Sequence, residues 1–204
     1  MSNTTHLLYE EESPLWTILH DDNETRQLNE SGILISEHSK LGQVNLRGPS
    51  TDSLFTTTVK DILDVEIPTE PNTVSSGGKY IVLWLGENEW LVITQEDQQT
   101  NLIKQLGNKL NGMSASITDL SSGQIILRIT GPSVRNVLSK GCTLDLHPRS
   151  FGVGDCAQTL LAEVGVTMRQ IDDIPSFELI VRRSLAEYLC AWLIDAAQKS
   201  DLTQ

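Results

Sequence analysis

Basic residues are scarce in this chain. Fifteen Lys and Arg stand against 27 Asp and Glu, giving a formal net charge of −12 and a pI near 4.6. Nucleic-acid binding needs clustered Lys and Arg to neutralise phosphates, so no nucleic-acid partner is expected. An anionic membrane surface is excluded on the same ground. No apolar run approaches the ~20 residues of a membrane span, and no membrane partner is expected. Met1–His6 is not a basic region leading into an apolar stretch, so no secretory signal is visible. Cysteine is rare and odd in number: Cys142, Cys156 and Cys190, without CxxC spacing. A disulfide framework is therefore not indicated, and reduced thiols in the cytoplasm are expected.

Glycine and histidine patterns are also missing. There is no G-x-G-x-x-G after a strand and no GxxxxGK[ST] loop, so neither a dinucleotide nor a P-loop phosphate site is indicated. Gly77-Gly78 and Gly152-Val153-Gly154 are short enough to be loop punctuation. His6, His20, His38 and His147 are scattered, and no Cys/His cluster has zinc spacing. Catalytic, cofactor-binding and metal residues are accordingly expected to be absent from this chain.

What is present begins with acid. Before Lys40 there are Glu10, Glu11, Glu12, Asp21, Asp22, Glu24, Glu30 and Glu37, against the single basic Arg26. Residues 1–36 are expected to form a solvated, partly mobile lead segment, or else an arm that docks in a basic groove of a partner.

Beyond it the chain repeats itself. Gly42-Gln43-Val44-Asn45-Leu46-Arg47-Gly48-Pro49-Ser50 returns as Gly123-Gln124-Ile125-Ile126-Leu127-Arg128-Ile129-Thr130-Gly131-Pro132-Ser133. A helix should follow each copy, capped by Ser50 or Thr51 in the first and by Ser133 in the second. Leu54, Phe55, Val59, Ile62 and Leu63 have helical spacing, as do Val134, Val137 and Leu138. Two strand-like runs come next in each half. Tyr80 to Leu85 and Trp90 to Thr94 are joined by the hairpin signal Gly86-Glu87-Asn88-Glu89. Their counterparts are Ala157 to Met168, expected to break near Gly165, and Phe177 to Val181. A closing helix carries Leu102, Ile103, Leu106 and Leu110 in the first half. Leu185, Leu189, Trp192, Leu193 and Ala196 stripe the second. Strand, helix, strand, strand, helix, twice over, predicts an α+β fold of two ferredoxin-like halves, each an antiparallel sheet with helices on one face. The expected units are 37–112 and 113–204, with the boundary near Asn111-Gly112-Met113-Ser114.

Three groups of residues could carry more than packing. Cys142 and His147 are five apart, but a Cys–His nucleophile needs spatial contact and an orienting third group. Asp172-Asp173 beside Pro175 suits a capped turn better than a metal site. Trp84, Trp90 and Trp192 suit a core or a partner interface better than a ligand-stacking site.

The run Lys140-Gly141-Cys142-Thr143-Leu144-Asp145-Leu146-His147-Pro148-Arg149-Ser150-Phe151 closely resembles the signature of the gamma subunit of heterotetrameric sarcosine oxidase. Cys156-Ala157-Gln158-Thr159, Ile171-Asp172-Asp173 with Phe177, Leu41 to Gly48, Pro71-Asn72-Thr73-Val74 and Leu83-Trp84-Leu85-Gly86 running to Glu89-Trp90-Leu91 fit the same pattern. Glu87-Asn88 departs from it, standing where the family has Pro-Asp. The resemblance spans about Ser36 to Ala197.

That resemblance implies a T-protein-like fold, similar to the folate-binding part of an aminomethyltransferase but without folate of its own. It implies a non-catalytic subunit of a flavoenzyme that oxidatively demethylates sarcosine and passes the one-carbon unit to tetrahydrofolate. FAD, FMN, NAD, tetrahydrofolate and zinc would then sit on the alpha, beta and delta type partners. An equivalent subunit of an N-methylglutamate dehydrogenase, and a stand-alone folate-binding aminomethyltransferase-like module, are the alternatives. The Lys140–Phe151 loop combines charge, a rigid Pro and a ring, making Lys140, Cys142, Leu144, His147, Arg149 and Phe151 the candidate partner interface. The loop could equally serve to pack the second half against the first.

Overall fold

The computed structural model describes residues 13–19, 25–28, 32–38 and 40–198. His6, His20 and the acidic Glu10–Glu12, Asp21, Asp22, Glu24 and Glu30 lie outside them, so the docking-arm reading of the lead segment does too. The elements run β1 (Thr25–Leu28), β2 (Ile33–Glu37), β3 (Gly42–Arg47), α1 (Ser53–Leu63), β4 (Val74–Gly77), β5 (Tyr80–Gly86), β6 (Glu89–Thr94), α2 (Gln99–Lys109) and β7 (Ser116–Asp119). They continue as β8 (Gln124–Thr130), α3 (Val134–Ser139), β9 (Cys156–Leu161), β10 (Val164–Asp172), β11 (Ser176–Arg182) and α4 (Arg183–Gln198).

The repeat is real at the level of topology. Each half runs β-α-β-β-β-α, one strand more than expected: β4 precedes the anticipated Tyr80–Thr94 pair, and the Ala157–Met168 run is two strands, β9 and β10. The five-stranded sheet is ordered β4-β5-β6-β3-β7 and the six-stranded sheet β1-β2-β8-β11-β10-β9. All named pairings are antiparallel. The strand that precedes each half crosses to the other sheet: β2 pairs with β8, and β7 pairs with β3. In both sheets the crossing strand completes the ferredoxin-like order. Sheet membership therefore runs across the 112/113 position.

Strand alternation sorts side chains into layers. On one face of the five-stranded sheet, Val44, Leu46, Val82, Trp90 and Val92 pack with Phe55, Val59, Leu63, Leu102 and Leu106 of α1 and α2. On one face of the six-stranded sheet, Ile125, Leu127, Ile129, Phe177, Leu179 and Val181 pack with residues of α3 and α4. The opposite faces meet each other through Leu83, Leu91, Ile93, Ile126, Cys156 and Ile180. The result is four layers, helix, sheet, sheet, helix, with each sheet's helices on one face as the patterning implied.

Several local expectations change. Asp52, not Ser50 or Thr51, caps α1, its carboxylate accepting the Leu54 N–H at 2.8 Å. Ser133 makes no side-chain cap bond, its backbone sitting at φ −93° and ψ 4° rather than in the extended region a capping residue uses. The β9–β10 turn falls at Ala162-Glu163, both at positive φ (51° and 70°), and Gly165 lies inside β10. Two left-handed residues match the twist of a tight hairpin, but Ala-Glu carries no turn signal. Leu54 is exposed, and so in part is Leu185. The lead segment is also less solvated than its charge implied: Leu15, Leu19, Ile33 and Ile35 are buried in the second core. Glu37 is buried as well and accepts a hydrogen bond from the Ser13 hydroxyl.

Candidate interaction surface

The Lys140–Phe151 loop leaves α3 and returns to β9, and a residue outside it holds its shape. Arg135 on α3 donates to the Leu146 carbonyl, to the Phe151 carbonyl (3.1 and 3.2 Å from its two terminal nitrogens) and to Gln170 Oε1 at 2.6 Å. Its guanidinium lies 5.2 Å from the Phe177 ring centroid. Desolvation lowers its pKa. One side chain thus satisfies loop carbonyls that would otherwise lack partners.

The loop also closes on itself. Asp145 accepts the His147 N–H at 3.0 Å and the Ser150 hydroxyl at 2.8 Å. The Ser150 bond and then the His147 bond hold the Asp145 carboxyl below its ordinary value. The His147 carbonyl accepts both the Ser150 and Phe151 N–H groups, at 2.8 and 3.0 Å.

The six candidate residues consequently divide. Phe151 is buried and stacks on Phe177 with centroids 6.0 Å apart. Cys142 is buried with its sulfur 3.9 Å from the Thr159 hydroxyl. Lys140 sends its ammonium to the Ala196 carbonyl of α4 at 2.6 Å. Leu144 is half-buried against the second core. His147 and Arg149 are exposed. A buried Cys142 beside an outward His147, whose Nδ1 accepts the Arg149 N–H at 3.2 Å, gives no nucleophile–base pair of the kind the spacing allowed.

The three tryptophans divide in the same way. Trp90 is fully buried, stacks on Phe55 (5.9 Å) and donates to the Pro68 carbonyl at 2.8 Å. Trp84 and Trp192 are half-buried. The Trp192 ring lies against Gly141, where a Cβ would come within 2.6 Å of it. The ring thereby ties α4 to the base of the loop.

Past Phe151 the chain is stitched to the other half. Val74 N–H donates to the Gly154 carbonyl and Cys156 N–H to the Asn72 carbonyl, each at 2.8 Å. Cys156 Sγ faces the Thr73 and Trp84 carbonyls at 3.3 and 3.5 Å. Burial is the main cause that pushes this thiol up to about 11, so it is protonated and unreactive at neutral pH.

Among the described residues no group of three or more His, Cys, Asp or Glu could hold a metal ion. Asp172 ends β10, and its carbonyl accepts from Gln170 at 2.6 Å. A cleft of about 700 Å³, wide open to solvent, lies between the Gly86–Glu89 hairpin, Arg47–Pro49 and Met113–Ser116. Within its lining, Glu89 Oε1 takes bonds from both Arg47 and Asn45 at 2.8 Å.

Comparison with known proteins matches residues 47–199 to one family. The chain belongs to the sarcosine oxidase, gamma subunit family. Within that family it is 36% identical over 115 residues to sarcosine oxidase subunit gamma of Corynebacterium sp. (strain U-96), and 37% identical over 115 residues to that of Arthrobacter sp. Each match covers 56% of this chain and 55% of the relative, so it spans about half the relative's length. A chain of the heterotetrameric sarcosine oxidase from Corynebacterium sp. U-96, in complex with pyrrole 2-carboxylate, superimposes with a TM-score of 0.78 and 29% identity, covering 84% of this chain and 87% of that one. The glycine cleavage system aminomethyltransferase T from Bartonella henselae shares the fold, with a TM-score of 0.58 at 13% identity over 78% of this chain and 45% of that one. The T-protein-like fold implied by the resemblance is thereby borne out. Among the described residues no helix is long and apolar enough to cross a membrane.

Proposed function

We propose that this chain is a non-catalytic gamma subunit of a cytoplasmic heterotetrameric sarcosine oxidase, which oxidatively demethylates sarcosine and passes the one-carbon unit to tetrahydrofolate. The observation that carries this reading is family membership together with the 0.78 superposition on a chain of such a heterotetramer. FAD, FMN, NAD, tetrahydrofolate and zinc would reside on the alpha, beta and delta type partners. The chain's own part is to cover surface on the largest of them.

The outer side of the Lys140–Phe151 loop is the proposed contact. His147 and Arg149 point outward on a loop pre-shaped by Arg135, so little ordering is left for association to impose. Cys142 and Phe151 support the same surface from within, and the exposed Lys140 ties its start to α4.

Co-expression with the partner subunits tests the reading. The chain should copurify with them in fixed ratio, and the isolated chain should be colourless and inactive. Bound flavin in the isolated chain, or stoichiometric tetrahydrofolate binding by calorimetry, would sink it. Arg149→Glu should lower complex yield on a sizing column while leaving the melting temperature of the lone chain unchanged. An unaltered yield removes the loop from the contact.

A further inference from the structure

The face of the six-stranded sheet that meets the five-stranded sheet is not wholly covered. Register places Ser36, Arg128, Glu178, Arg169 and Cys156 in one row across β2, β8, β11, β10 and β9. The next row outward holds Leu34, Thr130 and Ser176. Ile126 and Ile180, one row inward, are sealed in the layer between the sheets. Cover fades outward on the β2–β8 side.

The first row contains an ion cluster. Arg128 donates to Glu178 Oε1 at 2.7 Å, and Arg169 donates to Oε2 at 2.8 Å from Nε and 2.6 Å from a terminal nitrogen. Two guanidinium groups share one carboxylate, leaving one positive charge over. The side chains of Glu178 and Arg169 are 1% and 10% exposed, whereas that of Arg128 is 36% exposed. Arg128 is therefore the member that carries the surplus charge to the surface. Only one of its terminal nitrogens bonds Glu178, so donors at its exposed end are left for another acceptor.

We infer that Arg128, held by Glu178, receives a carboxylate from an acidic segment of the large partner subunit. This rests on the assembly reading above. The surroundings fit a protein segment better than a free ion. Leu34 is 37% exposed beside Thr130, and Ile174, in the turn just before Ser176, is 70% exposed. An apolar rim on an open sheet face suits side chains flanking the carboxylate. A small anion would need enclosure. With −12 on the whole chain, long-range attraction for an acidic partner is absent. Recognition must come from short charge-assisted hydrogen bonds.

The test compares the full chain and its Arg128→Gln and Arg128→Lys variants in binding to the co-expressed large subunit. Glu178 keeps Arg169 in each variant, so no buried carboxylate is stranded. Arg128→Gln should bind about 30-fold more weakly, the low end for a charge pair lost from an interface, with the melting temperature of the lone chain retained. Arg128→Lys should lose less, because an ammonium keeps the charge but not the fork. It carries the test should the Gln variant melt early. Wild-type affinity in both variants overturns the inference and leaves the assembly reading standing. A wild-type chain that binds no large subunit overturns that reading and this one with it. Millimolar acetate or phosphate that raises the melting temperature of the wild type, but not of Arg128→Gln, marks a small-anion pocket and also overturns it.

Discussion

At the scale of single residues, the side chains that matter most are buried polar ones with several partners. Glu178 pairs with two arginines within the sheet. Glu178→Gln should cost about 3 kcal/mol or more, since removing one partner strands buried charge; urea denaturation would check this, and near-wild-type stability would show the cluster to be solvated. Cys156 offers a pH test. Its folded pKa, about 11 against an ordinary 9.0, is raised, so the native state holds the proton after the unfolded chain has released it. Stability should therefore fall as pH rises from about 9 to about 11, and Cys156→Ala should flatten that limb. None of this was legible from spacing. Arg135, Arg169 and Glu178 sit in unremarkable strand and helix positions, and only tertiary contact gives them partners. Phe151 was named for its ring as an interface residue, yet the ring faces the core, where it stacks on Phe177.

Among elements, the two Gly-Pro-Ser turns show why the repeat was readable. Both glycines sit where a Cβ has no room: at Gly48 it would meet the Phe55 ring at 2.3 Å, and at Gly131, with φ at 143°, the Gly32 carbonyl oxygen at 2.3 Å. Gly131→Ala should cost about 2 kcal/mol or more, because both the dihedral and the neighbouring backbone oppose it. A thermal melt would detect the loss; an unchanged melting temperature would mean that β2 can shift aside. Helix and strand periodicity located α1, α2, α4, β5, β6 and β11 well, since these elements bury one apolar face. The caps and the β9–β10 turn were misplaced because Asp52 competed with two hydroxyl neighbours and Ala162-Glu163 adopts left-handed geometry without glycine.

For the whole molecule, the exchanged strands decide how the halves hold together. Each sheet takes its last ferredoxin-like strand from the chain segment ahead of the other half. Deleting residues 1–37 should therefore expose the β8 edge and remove Leu15, Leu19, Ile33 and Ile35 from the second core. The product should aggregate, as unpaired edges do; light scattering would show it, and a monodisperse, folded product would refute the dependence. Patterning along the chain was enough for the α+β class, the duplication and the family, because alternation, helical spacing and motif order are local in sequence. Strand exchange, the doubled arginines on Glu178 and the inward turn of half the loop are long-range. They depend on which strands lie side by side, and on backbone hydrogen bonds and burial between residues dozens of positions apart, which only the folded chain brings into contact.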